Sequence, residues 1–137
     1  MKSKKLSILL AVIALIISTL ACAVGEPTLS NVRTAKDENG EQLASVFSAT
    51  DTIYVVSDIS NGVKGNVVSS KWIVSNVEGY DPGFVIDEVD LTLEEDQLSY
   101  SVNFFFQPPA DGWPVGAYKV EVYFNGALNS TVEYTVQ

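Results

Sequence analysis

Apolar and polar residues alternate in short segments over most of the chain after residue 28, and turn residues such as Gly, Pro, Asn and Asp separate the segments. Alternation with a period of two predicts strands that bury one face, and no segment keeps a 3.6-residue period, which predicts few helices. Strands are predicted at 28–34, 52–60, 66–77, 84–93, 98–106, 118–124 and 128–136. About seven short strands favour an all-β, antiparallel β-sandwich.

The segment 66–77 gives the clearest prediction of a buried face. Val68, Trp72 and Val74 share one side of a strand, and Lys71 lies on the other. Immunoglobulin-like sandwiches place a core tryptophan on a corresponding strand. We therefore expect Trp72 at the centre of the core.

The last two strands form a predicted hairpin around Asn125-Gly126, a sequence that favours a two-residue turn. That turn would set apolar residues of one strand against polar residues of the other. One additional loop residue pairs apolar with apolar positions, for example Phe124 with Leu128. Since a one-residue slip moves every side chain to the opposite face, we predict a three-residue loop with a bulge at Gly126 or Ala127.

The N-terminus has the pattern of a secretory signal peptide. Three lysines within the first five residues precede an apolar run from residue 6 to residue 21, which ends in small side chains before Cys22. A membrane-spanning helix needs roughly 18–20 apolar residues, so cleavage is favoured over a permanent span. We divide the chain into a signal peptide (1–21), a tether (22–27) and one domain (28–137).

The segment Ser18-Thr19-Leu20-Ala21-Cys22 resembles the lipobox of bacterial lipoproteins. The resemblance implies cleavage after Ala21 and attachment of a diacylglycerol to the thiol of Cys22. Cys22 is the only cysteine, so it cannot form an internal disulfide. Ordinary signal peptidase could instead cut after Ala23 and release a protein without cysteine. We expect a lipid-anchored extracytoplasmic protein, with a secreted one as the alternative.

Charge narrows the range of partners. Three of the eight basic residues belong to the signal peptide, whereas all 17 acidic residues follow it, so the mature chain has a net charge of −12. Nucleic acids and anionic lipid headgroups require clusters of Lys and Arg. The composition therefore predicts no nucleic-acid partner, and the expected link to the membrane is the lipid.

The chemistry of the chain is limited because it contains no histidine. Histidine-dependent triads and histidine-ligated metals are thereby excluded. The single cysteine is either lipidated or removed, and no glycine-rich phosphate loop precedes a lysine. We expect no cofactor and no enzymatic activity.

Carboxylates are the remaining reactive groups, and they are densest at Asp87, Glu88, Asp90 and 94–96. The favoured interpretation is a solvated acidic edge that discourages aggregation. The alternative is a calcium site that uses Asp87 and Asp90, because calcium binds clustered oxygen ligands. A small carboxylate-dependent hydrolase is a third hypothesis, although a small sandwich offers little cleft for a substrate.

Two segments resemble small immunoglobulin-like domains of bacterial secreted proteins and lipoproteins. They are Phe47–Tyr54 and Gly112–Gly126, and the second contains a Trp-Pro-x-Gly-x-Tyr pattern. The resemblance implies an immunoglobulin-like sandwich and carries over no catalytic residue. We expect this motif to be structural, with Tyr118 bonding its hydroxyl to nearby backbone as tyrosine corners do.

Aromatic residues are the candidate ligand contacts. Phe105, Trp113 and Tyr123 are the candidate binding residues, and Tyr80 and Phe84 could extend them into a strip. Packing against neighbouring loops is the favoured alternative. These observations predict a non-enzymatic cell-surface domain that binds a protein or a glycan, or supports the envelope, with a released binding module as the alternative.

Overall fold

The computed structural model describes residues 25–137 of the 137-residue chain. The predicted signal peptide, Cys22 and the first residues of the predicted tether lie outside the described residues. Residues 25–27 have no regular secondary structure, and the first strand begins at Thr28. In the described part of the chain, no helix has the length and apolar character needed to cross a membrane.

Eight β-strands account for the regular structure between residues 25 and 137. They are β1 (Thr28–Ala35), β2 (Val46–Phe47), β3 (Ile53–Gly62), β4 (Val67–Val77), β5 (Val85–Thr92), β6 (Gln97–Phe106), β7 (Gly116–Phe124) and β8 (Ala127–Val136). Seven of them correspond to the predicted strands. The eighth is β2, which has only two residues and pairs in parallel with β8, so the sandwich is not purely antiparallel.

The strands form two packed sheets in an immunoglobulin-like β-sandwich. One sheet has the order β1-β3-β6 and the other the order β2-β8-β7-β4-β5. The chain crosses from one sheet to the other five times, and only β4–β5 and β7–β8 are consecutive strands that pair within one sheet. This topology and the central tryptophan confirm the predicted fold class.

One side of the sandwich is more open than the other. β1 contacts β8 across the sheets, so β6 lies at the opposite side, near β5. A connection of only four residues, 93–96, joins β5 to β6 although the two strands belong to different sheets. In the described chain β6 pairs with β3 alone and β5 with β4 alone.

Trp72 lies at the centre of the core, as the sequence predicted. Val68, Trp72 and Val74 are buried, and Lys71 points outward to Glu88, with 3.6 Å between Nζ and Oε1. Trp72 is one of five aromatic residues whose rings contact one another in a closed loop. Neighbouring ring centroids are 5.1–6.3 Å apart, in the order Trp72, Phe106, Trp113, Tyr118 and Tyr134. These edge-to-face and stacked contacts join the two sheets at one end of the sandwich.

The β7–β8 hairpin corrects the predicted loop. Phe124 lies directly opposite Ala127, so Asn125-Gly126 forms a two-residue turn in which both residues have positive φ, 49° and 83°. The extra residue is Asn129, where the register shifts. The bulge restores the expected apolar pairs beyond it, such as Val120 with Val132. The hairpin therefore keeps the two-residue turn that Asn125-Gly126 favours, and beyond the bulge it also keeps the predicted apolar pairs.

Candidate binding surfaces

An aromatic cleft opens at the end of the sandwich where β5 begins and β6 ends. Its volume is about 260 Å³. The lining side chains come from β4, β5, β7 and two loops: Val74, Tyr80, Phe84, Ile86, Pro109, Trp113, Pro114 and Tyr118. None of them is charged. The cleft is therefore suited to an apolar group.

Tyr80 and Phe84 form the exposed rim of the aromatic cleft. About half of each side chain is accessible, and their ring centroids are 5.6 Å apart. Backbone hydrogen bonds close the loop that carries them, from Gly83 N to the oxygen of Val74 (2.8 Å) and from Phe84 N to the oxygen of Asp81 (3.0 Å). The two rings are thus presented by a defined turn.

Trp113 forms the floor of the aromatic cleft and is only 5% exposed. Its indole N–H donates to the backbone oxygen of Asp51 (2.9 Å), and its backbone N–H donates to that of Ala49 (2.8 Å). Its ring packs edge-on against Phe106 and Tyr118. Trp113 therefore joins the β2–β3 and β6–β7 loops.

Tyr118 makes the backbone bond that the sequence predicted. Its hydroxyl donates to the carbonyl oxygen of Pro114 (2.5 Å), four residues upstream. Burial raises the pKa of Tyr118 above its ordinary value of 10.0, and nearby Tyr80 adds to the effect. Its ring stacks on Tyr134 with centroids 5.1 Å apart. The hydrogen bond and the stacking on Tyr134 together fix the position of Tyr118 in the cleft lining.

Tyr134 contrasts with Tyr118 in its hydrogen bonding. Within residues 25–137 its buried hydroxyl has no hydrogen-bond partner. Burial raises the pKa of Tyr134 well above 10.0, and the neighbouring Tyr118 adds to the rise. Two stacked tyrosines thus differ mainly in whether the hydroxyl is bonded.

The structure does not bring Phe105, Trp113 and Tyr123 together. Phe105 lies on the outer face of the three-stranded sheet, 57% exposed, with its ring 5.9 Å from that of Tyr54. Tyr123 lies on the five-stranded sheet, where its hydroxyl donates to Oε1 of Glu121 (3.0 Å), a bond that raises the pKa of Tyr123. Only Trp113 belongs to the aromatic cleft. The aromatics that accompany it are Tyr80 and Phe84.

The acidic residues of β5 point in alternating directions. Lys71 and Glu88 pair on the outer face, so alternation places Asp90 on that face and Asp87 on the other. The carboxylate of Asp87 accepts the backbone N–H of Glu88 (2.9 Å). In the described chain, no three His, Cys, Asp or Glu side chains come together as a metal site.

A second surface, which the sequence reasoning missed, is the free edge of β6. The strand has ten residues and pairs with β3 without a register shift. It contains no charged residue and no proline. Leu98 is 81% exposed, and Tyr100 and Phe105 are also exposed. We call this the open edge.

The other three sheet edges have features that block pairing. β1 contains a bulge between Ser30 and Arg33, β2 has only two residues, and β5 combines a register shift with exposed acidic side chains. Bulges, short strands and charges are the usual protection of edge strands. The open edge of β6 has none of them.

Charge is distributed unevenly around the open edge. Between Lys71 and Lys119 the chain has nine acidic residues and no Lys or Arg. Three of these residues belong to β5, and the other six belong to the β4–β5, β5–β6 and β6–β7 loops. Lys64 approaches from the β3–β4 turn, where its backbone N–H donates to Oδ1 of Asp96 (2.9 Å). The open edge is thus an uncharged strand with acidic surroundings.

Comparison with solved structures shows similarity of fold. A β-glucosidase of Erythrobacter marinus is 16% identical over 82% of this chain, with a TM-score of 0.53. A β-glucosidase of Listeria innocua is 13% identical over 82%, with a TM-score of 0.50. The chain spans only 15–16% of the length of these two enzymes. Identities this low show a shared fold alone.

An immunoglobulin-like protein of Pseudomonas aeruginosa is similar in size as well as in fold. The match covers 84% of this chain and 99% of that protein, at 14% identity and a TM-score of 0.49. No protein-family model matches the sequence, and no curated protein is significantly similar to it.

Proposed function

We propose that the protein is a non-enzymatic binding domain, held at the bacterial cell surface through a lipid on Cys22, and that it captures a protein partner. The observation that carries the proposal is the aromatic cleft, with Tyr80 and Phe84 half exposed at its rim. Pockets that combine apolar walls with a few fixed polar groups are typical of binding sites.

The lining of the cleft favours a protein side chain over a glycan. A sugar presents many hydroxyls, which need polar partners when water is removed. The cleft offers only two side-chain hydroxyls, and that of Tyr118 is already bonded to Pro114. An aromatic or aliphatic side chain from a protein would fill the cleft without leaving polar groups unbonded.

The same lining supports binding rather than catalysis. General acid–base or nucleophilic chemistry needs a titratable or nucleophilic group beside the substrate. The lining contains no carboxylate, lysine, cysteine or histidine, and its titratable groups are the hydroxyls of Tyr80 and Tyr118. The hydroxyl of Tyr118 is bonded to Pro114 and has a raised pKa, which opposes its use as a base or nucleophile. The β-glucosidase neighbours match this chain over a small part of their length, so their activity supports no hydrolase proposal here.

Anchoring through Cys22 is tested by the intact mass of the protein recovered from membranes and from the medium. A membrane species that begins at Cys22 and carries acyl mass supports the anchor. A soluble species that begins at Val24 overturns the anchor and leaves a secreted binding domain.

Partner capture is tested with the mature domain on a solid support and envelope and extracellular fractions of the producing bacterium. We expect a protein that the native domain retains and that the double variant Tyr80→Ala/Phe84→Ala loses. Leu43→Ala is the matched control, because Leu43 is 68% exposed and lines a different depression, beside Arg33 and Val132. Retention that is identical in all three proteins, or retention of glycans only, overturns the proposal.

A further inference from the structure

We propose that the open edge of β6 binds an extended, positively charged segment of a protein partner as an additional β-strand. The inference rests on the proposed function only in that the partner is a protein. It concerns a different surface from the aromatic cleft and predicts the conformation and charge of the bound segment.

The backbone of β6 has one free edge in the described chain. One edge of the strand pairs with β3 along its length, and the other edge has no strand beside it in the described chain. Ten residues at about 3.3 Å each form an edge roughly 33 Å long. Adding a strand satisfies the alternate N–H and C=O groups of such an edge.

Exposed apolar side chains lie along β6. Tyr100 lies opposite Ile59 and so faces the inside of the sandwich, as Leu98 does by alternation. Both remain exposed because no neighbouring strand covers them. Val89 is also exposed, and by alternation it faces inward from β5. Apolar side chains of an added strand would bury these three residues.

Charge decides between a foreign segment and a second copy of the chain. The mature protein is expected to have a net charge of −12, and the sequence between Lys71 and Lys119 contains nine acidic residues and no Lys or Arg. Two copies that met edge to edge would bring these acidic regions together, which is unfavourable. A segment with Lys or Arg at alternate positions would be attracted to the same region.

The test uses the mature protein as recovered from the producing cells and a capped ten-residue peptide of alternating valine and lysine. A second peptide has the same sequence with methylated backbone nitrogens, which retains the charge but removes the donors. A third replaces lysine with glutamate. Affinity is measured by titration calorimetry at low and physiological salt, and amide exchange of the protein is followed with and without peptide.

We expect the valine–lysine peptide to bind, with weaker binding at higher salt. The methylated and glutamate peptides should bind at least about tenfold more weakly. Amides within 98–106 should exchange more slowly in the complex. Equal binding of the methylated peptide, no binding of the valine–lysine peptide, or binding without protection of β6 overturns the proposal.

Matched protein variants separate the edge from general electrostatics. Leu98→Lys places a charge on the edge, and Leu43→Lys makes the same change at a similarly exposed leucine elsewhere. We expect Leu98→Lys to weaken peptide binding at least about fivefold and Leu43→Lys to change it less than about twofold. Equal effects of the two variants contradict the proposal. A wild-type dimer that Leu98→Lys dissociates would assign the edge to a second copy instead.

The two proposals fail separately. If a partner is retained through Tyr80 and Phe84 while the valine–lysine peptide does not bind, strand addition is wrong and the proposed function stands. If the peptide adds to β6 but no protein depends on the cleft, the site assigned under the proposed function is wrong and the open edge stands.

Discussion

The stacked pair Tyr118 and Tyr134 allows a controlled test of how hydrogen bonding contributes to the core. The change is Tyr134→Phe, with Tyr118→Phe as its matched control. Both substitutions remove one hydroxyl from neighbouring rings that stack with centroids 5.1 Å apart. Only the hydroxyl of Tyr118 has a partner in the described chain, the carbonyl oxygen of Pro114.

The two substitutions should change the free energy of unfolding differently. Tyr118→Phe loses a hydrogen bond to a carbonyl and should lower stability by about 0.5–1.5 kcal/mol. Tyr134→Phe removes a buried hydroxyl whose desolvation is uncompensated, so stability should stay equal or rise by about 1 kcal/mol. The ring contacts of Tyr134 with Phe47 and Trp72 are unchanged in this variant.

Urea unfolding followed by tryptophan fluorescence measures both values. A difference of about 1 kcal/mol corresponds to a change of about 4 °C in Tm for a domain of this size. A loss of more than about 1 kcal/mol in Tyr134→Phe would refute the reasoning, because it would mean that the hydroxyl makes a favourable interaction. An unchanged stability of Tyr118→Phe would refute the assigned role of the tyrosine corner.

Three further predictions concern pH, a glycine and the bulge. Burial raises the pKa of Tyr134 in the folded state above 10.0, so the unfolded state loses this proton first as the pH rises. The free energy of unfolding is therefore unaffected by this group below about pH 10 and falls as the pH rises further. Urea titrations at pH 8 and pH 10.5 should show this loss, and Tyr134→Phe should reduce it by up to about 1.4 kcal/mol per pH unit. Gly116→Ala should lower the free energy of unfolding by about 2–4 kcal/mol, measured by thermal unfolding. At φ 152° the added Cβ would collide with the backbone oxygen of Asn76. Gly79→Ala, which meets open space at φ 88°, should cost only about 1 kcal/mol, and equal losses in the two variants would contradict the steric argument. Asn129→Ala should lower the free energy of unfolding in urea by about 1 kcal/mol, since it removes the hydrogen bond from the Asn129 side chain to the backbone oxygen of Leu29 (3.1 Å). An unchanged stability would show that this bond between the sheets contributes little.

Local patterns predicted the strands and the inner face of β4 well. Alternation is a property of neighbouring residues, so Val68, Trp72 and Val74 could be assigned to the core without knowledge of the partner strands. The bond from Tyr118 to Pro114 was also predictable, because it spans four residues in one motif. Cys22 and the signal peptide remain sequence-based predictions.

The β7–β8 hairpin shows where pattern reasoning was incomplete. The apolar pairing required one extra residue, and the Asn125-Gly126 pattern predicted that residue in the loop. The structure places it at Asn129, where the side chain reaches β1 in the other sheet. That contact joins positions 100 residues apart. Local pairing could not reveal it.

The sequence by itself determined an all-β domain with a central tryptophan, a strong excess of acidic residues after residue 25 and a limited range of chemistry. Only the tertiary structure decided which aromatic residues meet and which strand keeps a free edge. Phe105, Trp113 and Tyr123 are similar in sequence character but lie on different surfaces. The physical reason is that alternation specifies the face of a strand, whereas a cleft or an open edge depends on which strands and loops become neighbours.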